Sequence, residues 1–187
     1  MHVEPKRDKL LIQVDESISL HEICHHDARV IFETIDQQRE YLARWLPFVE
    51  NTKELSDTEN FIIYAVASGI AAQEYVFRIN YEGQFAGLIG FRNSDIRNHR
   101  SELGYWLSEP YQHKGIARKS VEALSLFAFE KLNLKEIIIR CAVDNAPSRR
   151  VPEATEYTFF KTEFMSEKLS DGTITDVVVY IRKNSKL

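Results

Sequence analysis

The sequence predicts a mixed α/β (α+β) fold, with a mostly antiparallel central sheet of about seven strands and about four to five helices. Three observations predict it. Short segments with alternating apolar residues recur along the chain, and turn residues separate them. Other stretches carry apolar residues at three- and four-residue intervals, as amphipathic helices do. After Pro110 a strand, a long helix and a strand follow one another, which indicates a crossover connection.

The first half of the chain predicts two hairpins and two helical regions. Asp15-Glu16-Ser17 and Glu82-Gly83 are turn sequences between alternating segments. The helical spacing in 26–46 predicts one or two helices, which end at the Leu46–Pro47 step because proline disfavours a helical residue before it. The capping sequence at 56–59 predicts a helix that ends near Gly69.

The second half supplies the crossover and a last hairpin. Apolar residues on one face predict a helix over 115–132, and the apolar run that follows it predicts a strand buried on both sides. A turn at Ser170-Asp171-Gly172 joins the last two strands. The predicted strands cover residues 10–14, 18–23, 74–81, 85–91, 102–107, 137–143, 158–168 and 174–182.

Composition sets limits on the class of protein. The chain has 187 residues, 44% of them hydrophobic, and a formal net charge of −4, which predicts one globular domain and does not favour nucleic acid as a partner. Cys24 and Cys141 are far apart and show no metal-binding spacing, so we interpret both as reduced thiols. The charged N-terminus does not resemble a secretory signal, and no apolar run is long enough to predict a membrane span. We therefore expect a cytoplasmic protein.

Residues 112–117 lie between a predicted strand and the long helix, where backbone amides and the positive end of the helix dipole converge. Gly115 and Ala117 keep side chains out of the way, so a phosphate can approach the main chain. Lys114 and Arg118 are close enough in sequence to add positive charge. The segment predicts an anion-binding loop, and the alternative interpretation of a lone glycine at a helix start is a plain turn.

Four motifs together resemble one family. Gln112-x-x-Gly115-x-Ala117 is similar to the pyrophosphate loop Q/R-x-x-G-x-G/A of the GNAT acyltransferases. ELGYWL at 102–107 precedes it, VDNxxSxxV at 143–151 follows it, and WLP at 45–47 with DTExFI at 57–62 lies upstream. Together they resemble the ribosomal-protein N-acetyltransferase (RimJ/RimL-type) branch. The resemblance covers about residues 9–183, and we expect one acetyltransferase domain over residues 1–187.

The resemblance implies a GNAT fold in which two central strands splay apart and hold acetyl-CoA as co-substrate, with no metal. The pantetheine arm would bind backbone groups of the first strand, and the diphosphate would lie on the amides of the loop. Asn145 would face the pantetheine arm. The implied cofactor-binding residues are Trp106, Leu107, Ser108, Gln112, His113, Lys114, Gly115, Ile116, Ala117, Arg118 and Asn145.

Two residues are candidates for catalysis by direct attack of an amine on the acetyl group. Glu102 is the candidate base because strand alternation could aim it into the cleft, and its alternative is a surface-facing strand carboxylate. The superfamily commonly places a tyrosine seven residues after the asparagine, where this chain has Pro152. Ser148 is therefore the candidate acid, and its alternative is a helix-cap role. Cys141 lies in an apolar run and is interpreted as a core thiol.

The chain departs from the family after Ser148. The family usually continues with a helix that ends in Gly-Phe, whereas this chain has Glu156-Tyr157 there and Pro152 inside the expected helix. Because proline removes an amide and clashes with the preceding turn, we expect this helix to be short, kinked or re-routed.

The predicted function is an acetyl-CoA-dependent N-acetyltransferase that acts on a protein N-terminal α-amine or on a small-molecule amine. The alternative is a non-catalytic acyl-CoA-binding or regulatory domain. Neither nucleic acid nor a membrane is a predicted partner. The sequence leaves the oligomeric state open, with a homodimer as one alternative.

Overall fold

One mixed sheet organises the computed structural model, which describes residues 8–185. Within that range it contains eight strands, which correspond to the eight predicted segments and compare with the expectation of about seven for the sheet. The strands are β1 Leu11–Gln13, β2 Ile18–Glu22, β3 Val76–Tyr81, β4 Gln84–Asp95, β5 Arg100–Leu107, β6 Glu136–Ala142, β7 Thr158–Lys168 and β8 Ile174–Lys183. The α-helices are α1 Ala28–Gln37, α2 Arg39–Ala43, α3 Leu55–Ala72, α4 Ile116–Lys131 and α5 Ala146–Glu153. Short 3₁₀ helices cover His25–Asp27, Pro47–Asn51 and Glu109–Tyr111.

The predicted hairpin turns are confirmed, and short polar residues build them. The Asp15 carboxylate accepts the backbone N–H of Ser17 at 2.9 Å and that of Ile18 at 2.8 Å between β1 and β2. Glu82 and Gly83 both have positive φ, 50° and 78°, in the tight turn between β3 and β4. Such a turn matches the right-handed twist of the strands that it joins.

The region predicted as one or two helices forms two, because the chain breaks at Gln38 between α1 and α2. The next helix starts at Leu55, slightly before the predicted capping sequence, because the Asp57 carboxylate accepts the N–H groups of Lys53 and Glu54 at 2.8 and 3.0 Å. It continues past Gly69 to Ala72. An added Cβ at Gly69 would lie 3.0 Å from the Tyr75 ring, so the glycine permits close packing rather than a helix end.

The sheet has the order β1-β2-β3-β4-β5-β6-β8-β7, and β5 with β6 is its parallel pair. That pair is joined at Arg100–Glu102 and Glu136–Ile138, after which the strands continue without pairing to Leu107 and Ala142. Each strand instead follows its other neighbour, since β5 pairs with β4 as far as Leu107 and β6 pairs with β8 as far as Ala142. The predicted splay of the central strands is confirmed.

Two apolar clusters form the core, one on each face of the sheet. One lies under α4 and contains Leu103 with Ile137 and Ile139, whereas the other lies under α1 and α3 and contains Trp106. The prediction that the sixth strand is buried on both sides is wrong for one face. Ile138 and Arg140 are only half-buried, because they line an open cavity to which neither α1 nor α3 contributes a lining residue.

The departures after Ser148 have direct structural consequences. Helix α5 is eight residues long and carries Pro152 near its end, which confirms the expectation of a short helix. Tyr157 is buried and its hydroxyl lies 2.8 Å from the Ser125 hydroxyl of α4. The exposed Glu156 pairs with Arg182, a guanidinium that is only 5% exposed. The residues that replace Gly-Phe therefore anchor the segment to α4 and β8.

Two further findings concern only residues 8–185. They hold no helix long and apolar enough to cross a membrane, and no group of three or more His, Cys, Asp and Glu side chains placed to bind a metal ion. The N-terminal segment that does not resemble a secretory signal falls mostly in residues 1–7, outside the described residues.

We expect Gly87→Ala to lower the free energy of unfolding by about 3 kcal/mol. An added Cβ at Gly87 would lie 2.1 Å from the Trp106 carbonyl oxygen, where β4 approaches β5 most closely. Gly83→Ala is the matched control, because Gly83 also has positive φ but an added Cβ there would meet no atom within 4 Å. Its cost should be about 1 kcal/mol. Equal losses for the two variants in urea unfolding would contradict this prediction.

Candidate active site

A cleft of about 940 Å³ opens where β5 and β6 diverge. Its walls are the junction of α1 and α2, the end of β5, the loop before α4 with the first turn of that helix, and the start of α5. This volume is in the range of small-molecule and cofactor pockets. The divergence of the strands also leaves backbone groups at the cleft that the sheet does not use.

The start of α4 offers backbone donors to the cleft. Gly115 caps the helix with φ +73°, and an added Cβ would meet no atom within 4 Å, so the surface above the helix start is open. Lys119 is the first residue of α4 whose N–H has an acceptor in the helix, the Gly115 carbonyl at 3.1 Å. The amides of Ile116, Ala117 and Arg118 precede it and have no helical acceptor. All three residues line the cleft, so the helix start fits a diphosphate.

The basic residues of the loop separate into two groups. His113 and Arg118 line the cleft together with Gln112. Lys114 does not: its Nζ lies 5.2 Å from the ring centroid of Tyr81 and 5.5 Å from that of Tyr111. Arg118 therefore brings a positive charge to the cleft, whereas the ammonium group of Lys114 packs against two aromatic rings.

Three residues at the end of β5 are predicted to contact the pantetheine arm. Trp106 and Leu107 line the cleft, but Ser108 does not. Ser108 is buried and donates its N–H to the Ala86 carbonyl at 2.9 Å. Its hydroxyl is bonded to the Gln38 side chain. The sheet and the Gln38 side chain thus already use the N–H and the hydroxyl of Ser108, and its contact with the cofactor stays a prediction.

Two side chains from the α1–α2 junction enter the site, and sequence reasoning missed both. The Gln38 carboxamide oxygen accepts the Glu109 N–H at 2.8 Å, which fixes the loop after β5. The Tyr41 hydroxyl donates to the Leu107 carbonyl at 3.3 Å and accepts a hydrogen bond from the Gln112 side chain. Burial raises the pKa of Tyr41, so the hydroxyl keeps its proton. No local pattern marks these residues, because their partners lie about 70 positions away.

Asn145 and Ser148, both candidate site residues, line the cleft together with Tyr105. Asn145 caps α5, since its Oδ1 accepts the Ser148 N–H at 3.2 Å. The Tyr105 hydroxyl donates to the Ser148 carbonyl at 2.8 Å and lies 3.4 Å from the Ser148 hydroxyl. The Cys141 thiol lies 3.3 Å from the same hydroxyl, and burial raises the pKa of that thiol to about 11. Cys141 is therefore a protonated core thiol at neutral pH.

Glu102 does not line this cleft. It is buried beside a second cavity of about 770 Å³, on the face of β5 that also carries Trp106. Arg92 donates to its Oε1 through Nε at 2.9 Å and Nη2 at 2.5 Å, and Asn93 Nδ2 donates to its Oε2 at 3.0 Å. Alternation places this carboxylate on the same face of β5 as Trp106 and on the opposite face from Tyr105 and Leu107, so its role as the base stays a prediction.

The comparisons agree with this geometry. The family described as Acetyltransferase (GNAT) domain matches residues 18–158. A relative named putative ribosomal N-acetyltransferase YdaF, from Bacillus subtilis, is 34% identical over 147 residues, which cover 75% of this chain and 78% of that protein. The ribosomal-protein-serine acetyltransferase of Escherichia coli is 26% identical over 174 residues, or 91% of this chain and 95% of that protein.

A solved structure of similar fold is RimL, a ribosomal L7/L12 alpha-N-protein acetyltransferase in complex with coenzyme A. It has a TM-score of 0.90 at 21% identity, and the match covers 93% of this chain and 98% of that one. At this identity the likeness concerns the fold.

We expect Gly115→Val to raise the Kd for coenzyme A at least about 10-fold in calorimetric titration. The added side chain would project into the open space above the amides of α4. Gly172→Val is the matched control, since Gly172 has φ +84° with open space around it but lies in the turn between β7 and β8. Both variants should lose about 2 kcal/mol of stability from backbone strain. Unchanged affinity in Gly115→Val would contradict the placement of the diphosphate.

Proposed function

The chain belongs to the GNAT acetyltransferase family and is an acetyl-CoA-dependent N-acetyltransferase, and from this premise we propose that its acceptor is a protein N-terminal α-amine, of the kind that ribosomal proteins present. The observation that carries the acceptor class is the similarity along most of the chain to two relatives named for ribosomal substrates. A single acetyltransferase domain and a cytoplasmic location, where ribosomal proteins are made, are parts of the same proposal.

Different residues of the cleft would bind different parts of the co-substrate. The amides at the start of α4, with Arg118 beside them, would hold the diphosphate, and backbone groups of Trp106 and Leu107 would hold the pantetheine arm. Acetyl-CoA supplies the acetyl group as a thioester: the nitrogen–carbon bond forms as the carbon–sulfur bond breaks, and one proton passes from the amine and one to the sulfur. Ser148, which lines the same cleft, would donate a hydrogen bond to that sulfur.

The contacts of Glu102 favour an acceptor that loses its proton readily. Its oxygens already accept three hydrogen bonds from Arg92 and Asn93. An α-amino group has an ordinary pKa of about 8, against about 10.4 for a lysine side chain. At neutral pH the neutral, nucleophilic fraction of an α-amine is therefore larger by roughly two orders of magnitude. In this proposal Glu102 remains the base, on the sheet face opposite Ser148.

The acceptor class is tested by steady-state release of thiol from acetyl-CoA with a panel of amines. Peptides with a free N-terminus should be turned over, whereas the same peptides with a blocked N-terminus and an internal lysine should not. Spermidine serves as the small-molecule amine. Faster turnover of spermidine or of the blocked peptides would overturn the proposed acceptor. Tight binding of coenzyme A without turnover of any amine would support a non-catalytic domain.

We expect Glu102→Gln to lower kcat by at least about 100-fold while leaving the affinity for coenzyme A unchanged. The amide keeps an oxygen for Arg92 but cannot take up a proton. Glu136→Gln is the matched control, because Glu136 lines the same cavity and pairs with Arg100 at 3.6 Å. It should change kcat less than about 2-fold. A kcat for Glu102→Gln equal to that of the control would mean that Glu102 has only a structural role, as the ion-pair partner of Arg92.

A further inference from the structure

Helix α5 contains a backbone acceptor that the helix itself cannot satisfy. In an α-helix each carbonyl accepts the N–H of the residue four positions later. For Ser148 that residue is Pro152, which has no N–H. The Ser148 carbonyl therefore needs a donor from elsewhere, because Ser148 is half-buried and a carbonyl without a hydrogen bond costs free energy.

The missing donor comes from β5. The Tyr105 hydroxyl lies 2.8 Å from the Ser148 carbonyl oxygen, the distance of a strong O–H donor. Because the tyrosine proton is used in that bond, the phenolic oxygen is free to accept. Without co-substrate the Ser148 hydroxyl donates its one proton to it at 3.4 Å, a long bond that the hydroxyl would exchange for one to the thioester sulfur. The Cys141 thiol, 3.3 Å from the Ser148 oxygen, then remains as a donor to that oxygen.

We propose that Tyr105 is a positioning residue: its hydroxyl replaces the backbone donor that Pro152 lacks, and the same hydroxyl fixes the orientation of the Ser148 side chain at the cleft. The catalytic consequence rests on the proposed function, since it requires Ser148 to act on the leaving sulfur. The structural half, the compensation between Tyr105 and Pro152, does not.

The protonation of the pair agrees with these roles. Burial holds the pKa of Tyr105 well above its usual value, so the hydroxyl stays a donor throughout the working pH range. The side chains that contact the Ser148 hydroxyl are neutral, namely Tyr105 and the raised-pKa thiol of Cys141. The serine hydroxyl is thus held by neutral neighbours from β5 and β6.

The test is a double-mutant cycle with Tyr105→Phe and Pro152→Ala, followed first by thermal melting without ligand. Tyr105→Phe alone should lower Tm by about 5 °C, because the carbonyl loses its donor. In the Pro152→Ala background a backbone N–H is restored, so the loss from Tyr105→Phe should fall to about 2 °C or less. Any change that Pro152→Ala makes to the unfolded chain cancels in the cycle.

Tyr157→Phe is the matched control. Tyr157 is a buried tyrosine whose hydroxyl is paired with Ser125 of α4, so the effect of Tyr157→Phe on Tm should be the same in the native background as in the Pro152→Ala background. Additive effects of Tyr105→Phe and Pro152→Ala would overturn the compensation. Should Tyr105→Phe fail to fold, the double variant is expected to fold, and failure of both would also overturn it.

Kinetics separate positioning from stability. Tyr105→Phe should lower kcat about 10-fold with little change in the KM of the amine. The double variant should keep that low kcat although its Tm recovers, because a backbone N–H at position 152 cannot hold the Ser148 hydroxyl. A kcat that recovers together with Tm, or that never falls, would overturn the positioning role. The rate is measured with whichever amine is turned over, so a wrong acceptor class would leave the result of this cycle intact.

Discussion

The divergence of β5 from β6 is the constraint on which the rest of the structure depends. The two strands share pairing only at Arg100–Glu102 and Glu136–Ile138. Beyond that point each strand keeps its antiparallel neighbour, so the sheet stays intact on both sides of a gap. A gap of this kind is costly unless its backbone groups find other partners, and it therefore suits a ligand with an extended polar chain. The crossover through α4 then brings the N-terminus of that helix to the cleft, and the start of α5 lines the same cleft.

Hydrogen bonds between residues far apart in the sequence fix the residues that line that gap. Gln38 and Tyr41 tie the α1–α2 junction to the end of β5 and to the loop before α4. The helices that cover the other face of the sheet are in this way connected to residues that would contact the co-substrate. A change in the α1–α2 junction can therefore alter the cleft without changing any residue of the pyrophosphate loop.

The unusual residues after Ser148 are accommodated by partners elsewhere in the fold. Glu156 pairs with the buried Arg182, and the Tyr157 hydroxyl meets Ser125. Pro152 removes one donor from α5, and Tyr105 supplies another at the same carbonyl. The polar groups that these substitutions add, and the carbonyl that Pro152 leaves without a helical donor, thus each have a specific partner, and the cleft beside α5 stays open.

Local patterns in the sequence determined the elements, the turns and the anion-binding loop. Alternation, helical spacing and turn residues such as Asp15 and Gly83 act over a few positions, so they are readable from the chain. The resemblance of its motifs implied the splay and the placement of Asn145 and Ser148 at the cleft. Only the tertiary structure decided which polar groups are free: Ser108 is used by Ala86 and Gln38, and Glu102 by Arg92 and Asn93. The same holds for Tyr105, whose role depends on a proline distant in sequence. Hydrogen bonding is a pairwise property of atoms brought together by folding, whereas secondary-structure patterns are properties of the chain itself.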